Sequence, residues 1–154
     1  MGKSASLMRR WKHMSEEKSY VFKITDVPLL QDPTKTRQGS VIITKDTCGS
    51  TQYTAGLLWL APNIHGHGDK HPNQDEVYYI INGTGTLHLE GEPIALEAGD
   101  VVFVPKDHYH SVENTGDDVL KLFWAIGEGW ANLPEIRDEL GTWPVIDTKD
   151  VWLD

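Results

Sequence analysis

Two neighbouring stretches decide the fold and the chemistry of this chain. Residues 65–83 read HGHGDKHPNQDEVYYIING, and residues 99–114 read GDVVFVPKDHYHSVEN. The segment between them, residues 84–98, has room for one β-hairpin. In both stretches, histidines and acidic residues lie beside runs of Val, Ile, Tyr and Phe, which favour strands, while glycines and Pro105 mark sharp corners. The pattern predicts short strands that carry polar side chains toward a common point.

Strand geometry indicates which of these side chains can meet. Side chains two residues apart project from the same face of a strand, so Asp69 and His71 can reach one point. Glu76 begins the next strand after a tight turn and can face that point, and His110 must arrive from another strand. Imidazole and carboxylate together suit a first-row divalent metal ion. The residues therefore predict a metal site.

The rest of the chain predicts an all-β domain. Residues 1–19 are polar and basic and are predicted to form an N-terminal arm, whereas residues 20–154 are predicted to form one barrel domain. Many short strands at even spacing favour a sandwich or barrel, and one short helix is predicted over 133–140, with Pro134 in its first turn and Gly141 after its end. The predicted strands are 20–25, 40–45, 51–61, 67–71, 76–82, 85–90, 93–97, 101–104, 108–113 and 119–126.

The two stretches resemble the two motifs of the cupin superfamily. His71-x4-Glu76-x6-Gly83 is similar to the second half of the first cupin motif, and Gly99-x5-Pro105-x-Asp107-x2-His110-x3-Asn114 is similar to the second. The resemblance covers residues 55–126. It implies a small single-domain cupin of the cupin 2 type, in which a double-stranded β-helix forms a jelly-roll-like barrel. Asp107 stands where the family has glycine, and Asp tolerates the left-handed backbone that this turn requires.

The resemblance also implies a ligand set. Carried over to this chain, the metal ligands are Asp69, His71, Glu76 and His110. The family usually has histidine at the position that Asp69 occupies, although a carboxylate can also ligate. His67 lies on the same predicted face and is the alternative to Asp69, which would give a site with three histidines.

Other polar residues near the motifs have weaker assignments. Tyr78 shares the face of Glu76, and His108 shares the inward parity of His110, so these two are the candidate catalytic groups. Core packing is the alternative role for His108. His65 is expected outside the site, and His88 is expected on the surface.

The function indicated is that of a mononuclear metalloenzyme acting on a small organic molecule. Two carboxylates and two neutral imidazoles would balance a divalent ion, and oxygen ligands favour Fe(II) or Mn(II), with Zn(II) possible. This balance favours an Fe(II)-dependent dioxygenase. Members of the family include lyases and isomerases as well as dioxygenases, so a non-redox Zn or Mn enzyme and a non-catalytic small-molecule-binding cupin are the alternatives.

Composition narrows the partners. The net charge of −9 argues against nucleic acid, no apolar run is long enough to span a membrane, and Cys48 as the single cysteine fits the cytoplasm. The start, Met1–Ser6, matches an N-myristoylation pattern, and whether Gly2 is modified stays open. The apolar tail with Trp143 and Trp152 is predicted to pack on the barrel or on a second subunit, and a homodimer is expected.

Overall fold

The structure is a computed structural model that describes residues 20–127 and 142–152. The predicted arm over residues 1–19, with the Gly2 pattern, and the predicted helix over 133–140 lie outside these ranges. Antiparallel strands dominate the described residues, as the sequence predicts. The strands are β1 (Leu29–Gln31), β2 (Arg37–Ile43), β3 (Tyr53–Leu60), β4 (Glu76–Asn82), β5 (Thr84–Leu89), β6 (Glu92–Glu97), β7 (Val101–Val104), β8 (His110–Asn114), β9 (Leu120–Gly127) and β10 (Val145–Ile146).

The strands form two sheets. One has the order β10-β1-β2-β3-β9-β4-β7, and the other has the order β6-β5-β8. The short α-helix α1 (Lys45–Cys48) follows β2, and 3-10 helices span Ile24–Asp26 and Thr148–Asp150. In the described residues, no helix combines the length and the apolar character needed to cross a membrane.

Side-chain alternation on β4 sets the inside and outside of the barrel. Glu76, Tyr78 and Ile80 are buried, whereas Val77 and Tyr79 are exposed. The period of two places every second residue in the interior. The interior core contains Leu60, Tyr78, Ile80, Leu87, Leu96, Val102, Val104, Val112, Leu120 and Leu122.

A second core lies on the outer face of the larger sheet. Segments from both ends of the described chain pack there against β3, around the buried side chains of Val27, Leu29 and Trp59. The side chains that complete this core are Phe22, Ile24, Ile42, Leu57, Val119, Ile146, Val151 and Trp152. Trp59 therefore serves the outer core and does not line the interior.

The predicted strand 20–25 is wrong. This segment contains the 3-10 helix Ile24–Asp26 and pairs with no strand. Phe22 and Ile24 pack onto the outer core instead, so their apolar character reflects burial by packing rather than a place in a sheet.

The predicted strand 67–71 is also wrong. In its place is an irregular segment with one antiparallel bridge, between Asp69 and His110. The segment lies close to β8, since Gly66 donates its N–H to the carbonyl of Val112 at 2.7 Å. A Cβ at Gly66 would stand 2.7 Å from that oxygen, so only glycine permits this approach.

The tail packs on its own barrel. β10 pairs with β1, and Trp143 is buried at 5% exposure. The Arg37 guanidinium lies 4.9 Å from the centre of the Trp143 ring. The tail was predicted to pack either on its own barrel or on a second subunit. For Trp143, packing on its own barrel is confirmed.

Candidate metal centre

Three side chains from separate segments meet inside the barrel. Glu76 opens β4, His110 opens β8, and His71 ends the irregular segment; all three are buried. Glu76 Oε2 lies 3.0 Å from His110 Nε2 and 3.5 Å from His71 Nε2. One ligating atom from each residue lies within 4.8 Å of the others, so the group could hold a metal ion.

Hydrogen bonds orient this trio. His110 Nδ1 donates to the carbonyl of His108 at 2.9 Å, which directs Nε2 toward Glu76. The Tyr78 hydroxyl donates to Glu76 Oε2 at 3.1 Å. Metal-binding histidines commonly donate their second ring N–H to a carbonyl in this way, which fixes the tautomer.

The turn of the second motif positions His71. Asp107 has a φ of 62°, the left-handed conformation that the sequence predicts for it. Its N–H donates to the carbonyl of His71 at 2.7 Å. The motif that supplies His110 therefore also supports His71.

Burial and charge shift the proton affinities in the trio. Burial alone would raise the pKa of Glu76, but hydrogen bonds and charge interactions with His110 and His71 lower it below its ordinary value. Burial alone would lower the pKa of His110, but hydrogen bonds to Glu76 and the His108 carbonyl, with the charges of Glu76 and Asp69, raise it. Burial, followed by the charge of Glu76, holds the pKa of Tyr78 well above its usual range, so the phenol stays protonated.

These shifts predict how metal binding depends on pH. The raised pKa of His110 adds to the free energy of unfolding of the metal-free protein. This contribution is complete below about pH 6.5 and is lost as the pH rises through the raised pKa. The lowered pKa of Glu76 adds to the same free energy of unfolding above about pH 4.5. Glu76 and His110 together therefore stabilise the metal-free protein most between about pH 4.5 and 6.5. A metal must displace the proton from His110. We expect the rise in melting temperature on adding Zn(II) to grow from pH 5.5 to 7.5.

His110→Ala is the control for this measurement. The variant should lose the gain that comes from the interior ion at every pH, because it lacks the ligand from β8. A Zn(II)-induced gain that stays constant over the pH range in the wild type would contradict the coupling.

The trio opens into a cavity with largely apolar walls. Trp124 and Trp143 contribute aromatic surface, and Tyr78 adds its ring. The other apolar residues along it are Val41, Leu57, Leu58, Leu60, Val112 and Leu122, and the polar residues beside the trio are Arg37, Ser40, His67, Asp69 and Ser111.

Comparison with known proteins gives the family. The family model described as "Cupin domain" matches residues 57–126, the range that holds both motifs and the trio. A solved structure of a predicted oxalate decarboxylase from Thermotoga maritima aligns over 70% of this chain and 98% of its own, with a TM-score of 0.61 and 25% identity. Residues 57–126 form a cupin domain. Both the β-barrel fold and the family predicted from the motifs are confirmed.

Curated relatives of this cupin include proteins with different names. Protein SchB of Streptomyces halstedii is 29% identical over 74% of this chain and 81% of its own. Polyketide synthase CurC of Streptomyces cyaneus is 24% identical over 82% of this chain and 89% of its own. An acireductone dioxygenase of Bacillus thuringiensis is 30% identical over 44% of each chain.

The fourth ligand position of the cupin site holds two candidates. Asp69 and His67 both line the cavity, with His67 Nε2 3.8 Å from Asp69 Oδ1. Asp69 exchanges two backbone hydrogen bonds of 2.9 Å with His110, which fixes it beside the trio. The group of ligating atoms that lie within 4.8 Å of one another comprises His71, Glu76 and His110, and includes neither Asp69 nor His67.

The two candidate catalytic residues lie in different places. Tyr78 faces the cavity and contacts Glu76. His108 is not among the residues that line the cavity, and its Nδ1 instead pairs with the carbonyl of Lys106 at 3.0 Å. The structure thus brings the His108 carbonyl to the site, through His110, but not the His108 ring.

Sequence reasoning missed Arg37. This residue opens β2 and lines the cavity, with Nε 3.7 Å from Asp32 Oδ2 and its guanidinium over Trp143. The predicted strand began at residue 40, which left Arg37 in a loop. A cationic residue at the start of an inward-facing strand was the available signal.

The donor set fits a divalent metal ion. Two imidazole nitrogens and a carboxylate converge in a buried position, and the carboxylate is held ionised by its neighbours. Zn(II), Mn(II) and Fe(II) all accept this combination of nitrogen and oxygen ligands. His71, Glu76 and His110 would hold the ion.

Proposed function

We propose that this cupin is a mononuclear metal-dependent enzyme acting on a small organic molecule, and that it is an Fe(II)-dependent dioxygenase. The observation that carries the proposal is the buried trio of His71, Glu76 and His110 at the wall of an apolar cavity. Asp69 is proposed as the fourth ligand. An Fe(II) ion bound there would supply the activation of dioxygen.

The residues of the chain would perform the remaining tasks. Tyr78 holds the Glu76 carboxylate in place through its hydroxyl. Apolar walls that include Trp124 and Leu122 exclude water, which protects reactive intermediates. Arg37 offers a cation for a carboxylate or enolate group of the substrate.

Two relatives support an oxygen-rich substrate. One is named an acireductone dioxygenase, although it matches less than half of this chain, and another is named a polyketide synthase protein. Both names fit substrates with carbonyl or enol oxygens, which suit a cavity that combines a metal site with Arg37. We therefore propose a carbonyl-containing anion as the substrate class.

A non-redox lyase or isomerase is the second candidate. Such an enzyme needs a base in the cavity, and the protonated Tyr78 phenol does not provide one. The pair formed by His67 and Asp69 could move a proton, because both residues line the cavity. This pair is the observation that favours a Zn(II) or Mn(II) enzyme.

Metal exchange distinguishes the candidates. Apoprotein loaded separately with Fe(II), Mn(II) and Zn(II) is offered catechols, diketones, hydroxy acids and sugars, while substrate loss and oxygen uptake are followed. The dioxygenase predicts oxygen-dependent turnover with Fe(II) alone, and the same loading of His110→Ala controls for free iron. Equal turnover with Zn(II) in an anaerobic chamber would establish the second candidate, whereas binding without turnover would contradict an enzyme.

Asp69 is expected to be a direct ligand. Removal of its carboxylate by Asp69→Ala should weaken metal binding about 10- to 100-fold, since it is held beside His110 by two backbone hydrogen bonds. The matched variant His67→Ala should cost less than Asp69→Ala does, because His67 only contacts Asp69. Equilibrium dialysis with Fe(II) under anaerobic conditions measures both. A larger loss from His67→Ala would assign the fourth position to His67.

We further propose a cytoplasmic homodimer without a nucleic-acid partner. The tail that suggested a dimer is partly used on its own barrel, but a different face supports it. Val77, Tyr79, Val101, Phe103 and Phe123 are exposed together on the outer face of β9, β4 and β7, which are neighbours in the sheet. Exposed apolar patches of this kind commonly mark interfaces.

Light scattering tests the dimer. The wild type should have twice the chain mass of 17.3 kDa, and Phe103→Glu should give a monomer because it places a charge in the patch. Ile94→Glu is the matched control, since Ile94 is exposed on the other sheet. A wild-type mass of one chain would overturn the proposal.

A further inference from the structure

A second group of ligating side chains lies on the outside of the barrel. It consists of His65, His88 and Glu113, and one ligating atom from each lies within 4.8 Å of the others. These residues come from the segment before β4, from β5 and from β8. Nothing in the proposed reaction uses them.

The register of the smaller sheet explains why these residues meet. His88 pairs across the sheet with Ser111, and Glu113 is two residues beyond Ser111 on β8, so His88 and Glu113 lie on the same face of the sheet. His65 forms a backbone bridge with Glu113 on the other edge of β8. The fold therefore places the group by backbone pairing and not by chance proximity of long side chains.

The side chains converge on one carboxylate oxygen. Glu113 Oε2 lies 2.9 Å from His88 Nε2 and 3.8 Å from His65 Nδ1. The two imidazole rings stack with their centres 4.8 Å apart and their planes 20° apart. The other ring nitrogen of His65, Nε2, is 2.8 Å from the hydroxyl of the buried Ser111. A hydroxyl that holds the second nitrogen of a histidine resembles the supporting partners of metal ligands.

We infer that His65, His88 and Glu113 form a second metal site, which takes Zn(II) with water in its open position. Two imidazoles and one carboxylate are a common zinc donor set with a position left open. The half-exposed side chain of His65 leaves this position to solvent. The site would be separate from the interior one, because the two groups share no residue and none of His65, His88 and Glu113 lines the interior cavity.

The second site would also tie down the segment that serves the interior site. His65 belongs to the same stretch as His67, Asp69 and His71, and backbone bridges at His65 and Asp69 join that stretch to β8. Zn(II) bound between His65 and the sheet would add an attachment through side chains to these backbone contacts. Amide hydrogen exchange over residues 64–69 should then slow when Zn(II) is added.

Metal stoichiometry tests the inference on the untagged full chain. Equilibrium dialysis against Zn(II), followed by elemental analysis, should give two ions per chain in the wild type and one in His88→Gln. Glu113→Gln serves as a second variant if His88→Gln melts before dialysis is complete. His108→Gln is the matched control and should keep two ions, because its ring joins neither group.

The outcomes separate this site from the interior one. Loss of one ion in His110→Ala and of a different one in His88→Gln would support both sites. If the wild type and His88→Gln hold the same number of ions, or if the second ion dissociates at about 1 mM or above, the binding is adventitious and the inference is overturned. A wild type that binds a single ion, lost in His88→Gln and kept in His110→Ala, would support this site and contradict the interior one.

Discussion

His110→Ala should remove the interior metal ion. His110 is the ligand from β8, and its Nε2 lies 3.0 Å from the Glu76 carboxylate at the centre of the trio. Without His110, the trio supplies two ligands, from His71 and Glu76, instead of three. We expect the affinity for Fe(II) to fall at least about 100-fold, since loss of a supporting partner alone costs 10- to 100-fold. Anaerobic dialysis followed by elemental analysis measures the loss as one ion per chain.

The same substitution should destabilise the metal-free protein. Glu76 is buried and is kept ionised by His110 and His71. Removal of one partner from a buried ion pair costs about 3 kcal/mol, and the pKa of Glu76 should rise. Circular dichroism at the temperature of the dialysis shows whether the variant is folded while its metal content is measured.

His108→Ala is the control for His110→Ala. It removes an imidazole two residues away but keeps the backbone carbonyl that accepts from His110 Nδ1. We expect unchanged metal content. Undiminished occupancy in His110→Ala would show that the trio is not the metal site, whereas loss of metal in His108→Ala would give its ring a role that the geometry does not indicate.

The residues of the trio could be predicted because they lie in motifs with fixed spacing. Glu76 and His110 each open a strand, and the spacing of the motifs indicated that both could reach one point. Tyr78 followed from the alternation on β4. The backbone around His71 was harder, because the alternating pattern of 67–71 suggested a strand where the close approach of Gly66 to β8 produces an irregular segment.

The remaining parts of the site depend on contacts distant in sequence. Arg37 reaches the cavity beside Trp143, which lies more than one hundred residues away and is placed by the pairing of β10 with β1. A two-residue strand such as β10 has no period that a sequence pattern can reveal. The group of His65, His88 and Glu113 likewise depends on the register between β5 and β8, which could not be predicted from the sequence. His65 and His88 could be placed outside the interior site, but not beside each other.

Gly56→Ala should cause the largest loss of stability. Gly56 lies in β3, where it pairs with Val41 of β2 and Trp124 of β9. A Cβ at this position would stand 2.0 Å from the backbone oxygen of Ser40 and 2.9 Å from the Trp124 ring. The neighbouring strand must move to make room, because the closest atom belongs to the backbone. We expect a cost of about 3 kcal/mol or more, which lowers the melting temperature by about 10 °C.

Gly127→Ala provides a glycine control at the end of the neighbouring strand β9. The nearest atom to a Cβ there would be 3.9 Å away, which is ordinary contact. We expect this variant to melt within about 2 °C of the wild type. Equal melting temperatures for the two variants would contradict the close packing of β2 against β3.

Metal binding separates the effect of Gly56→Ala on the fold from an effect on the site. The atoms nearest to the added methyl group belong to Ser40 and Trp124, and not to His71, Glu76 or His110. Below its melting temperature, Gly56→Ala should therefore keep the interior ion, while His110→Ala loses it at any temperature. Substrate binding should still weaken, because Ser40 and Trp124, which the methyl group displaces, both line the cavity.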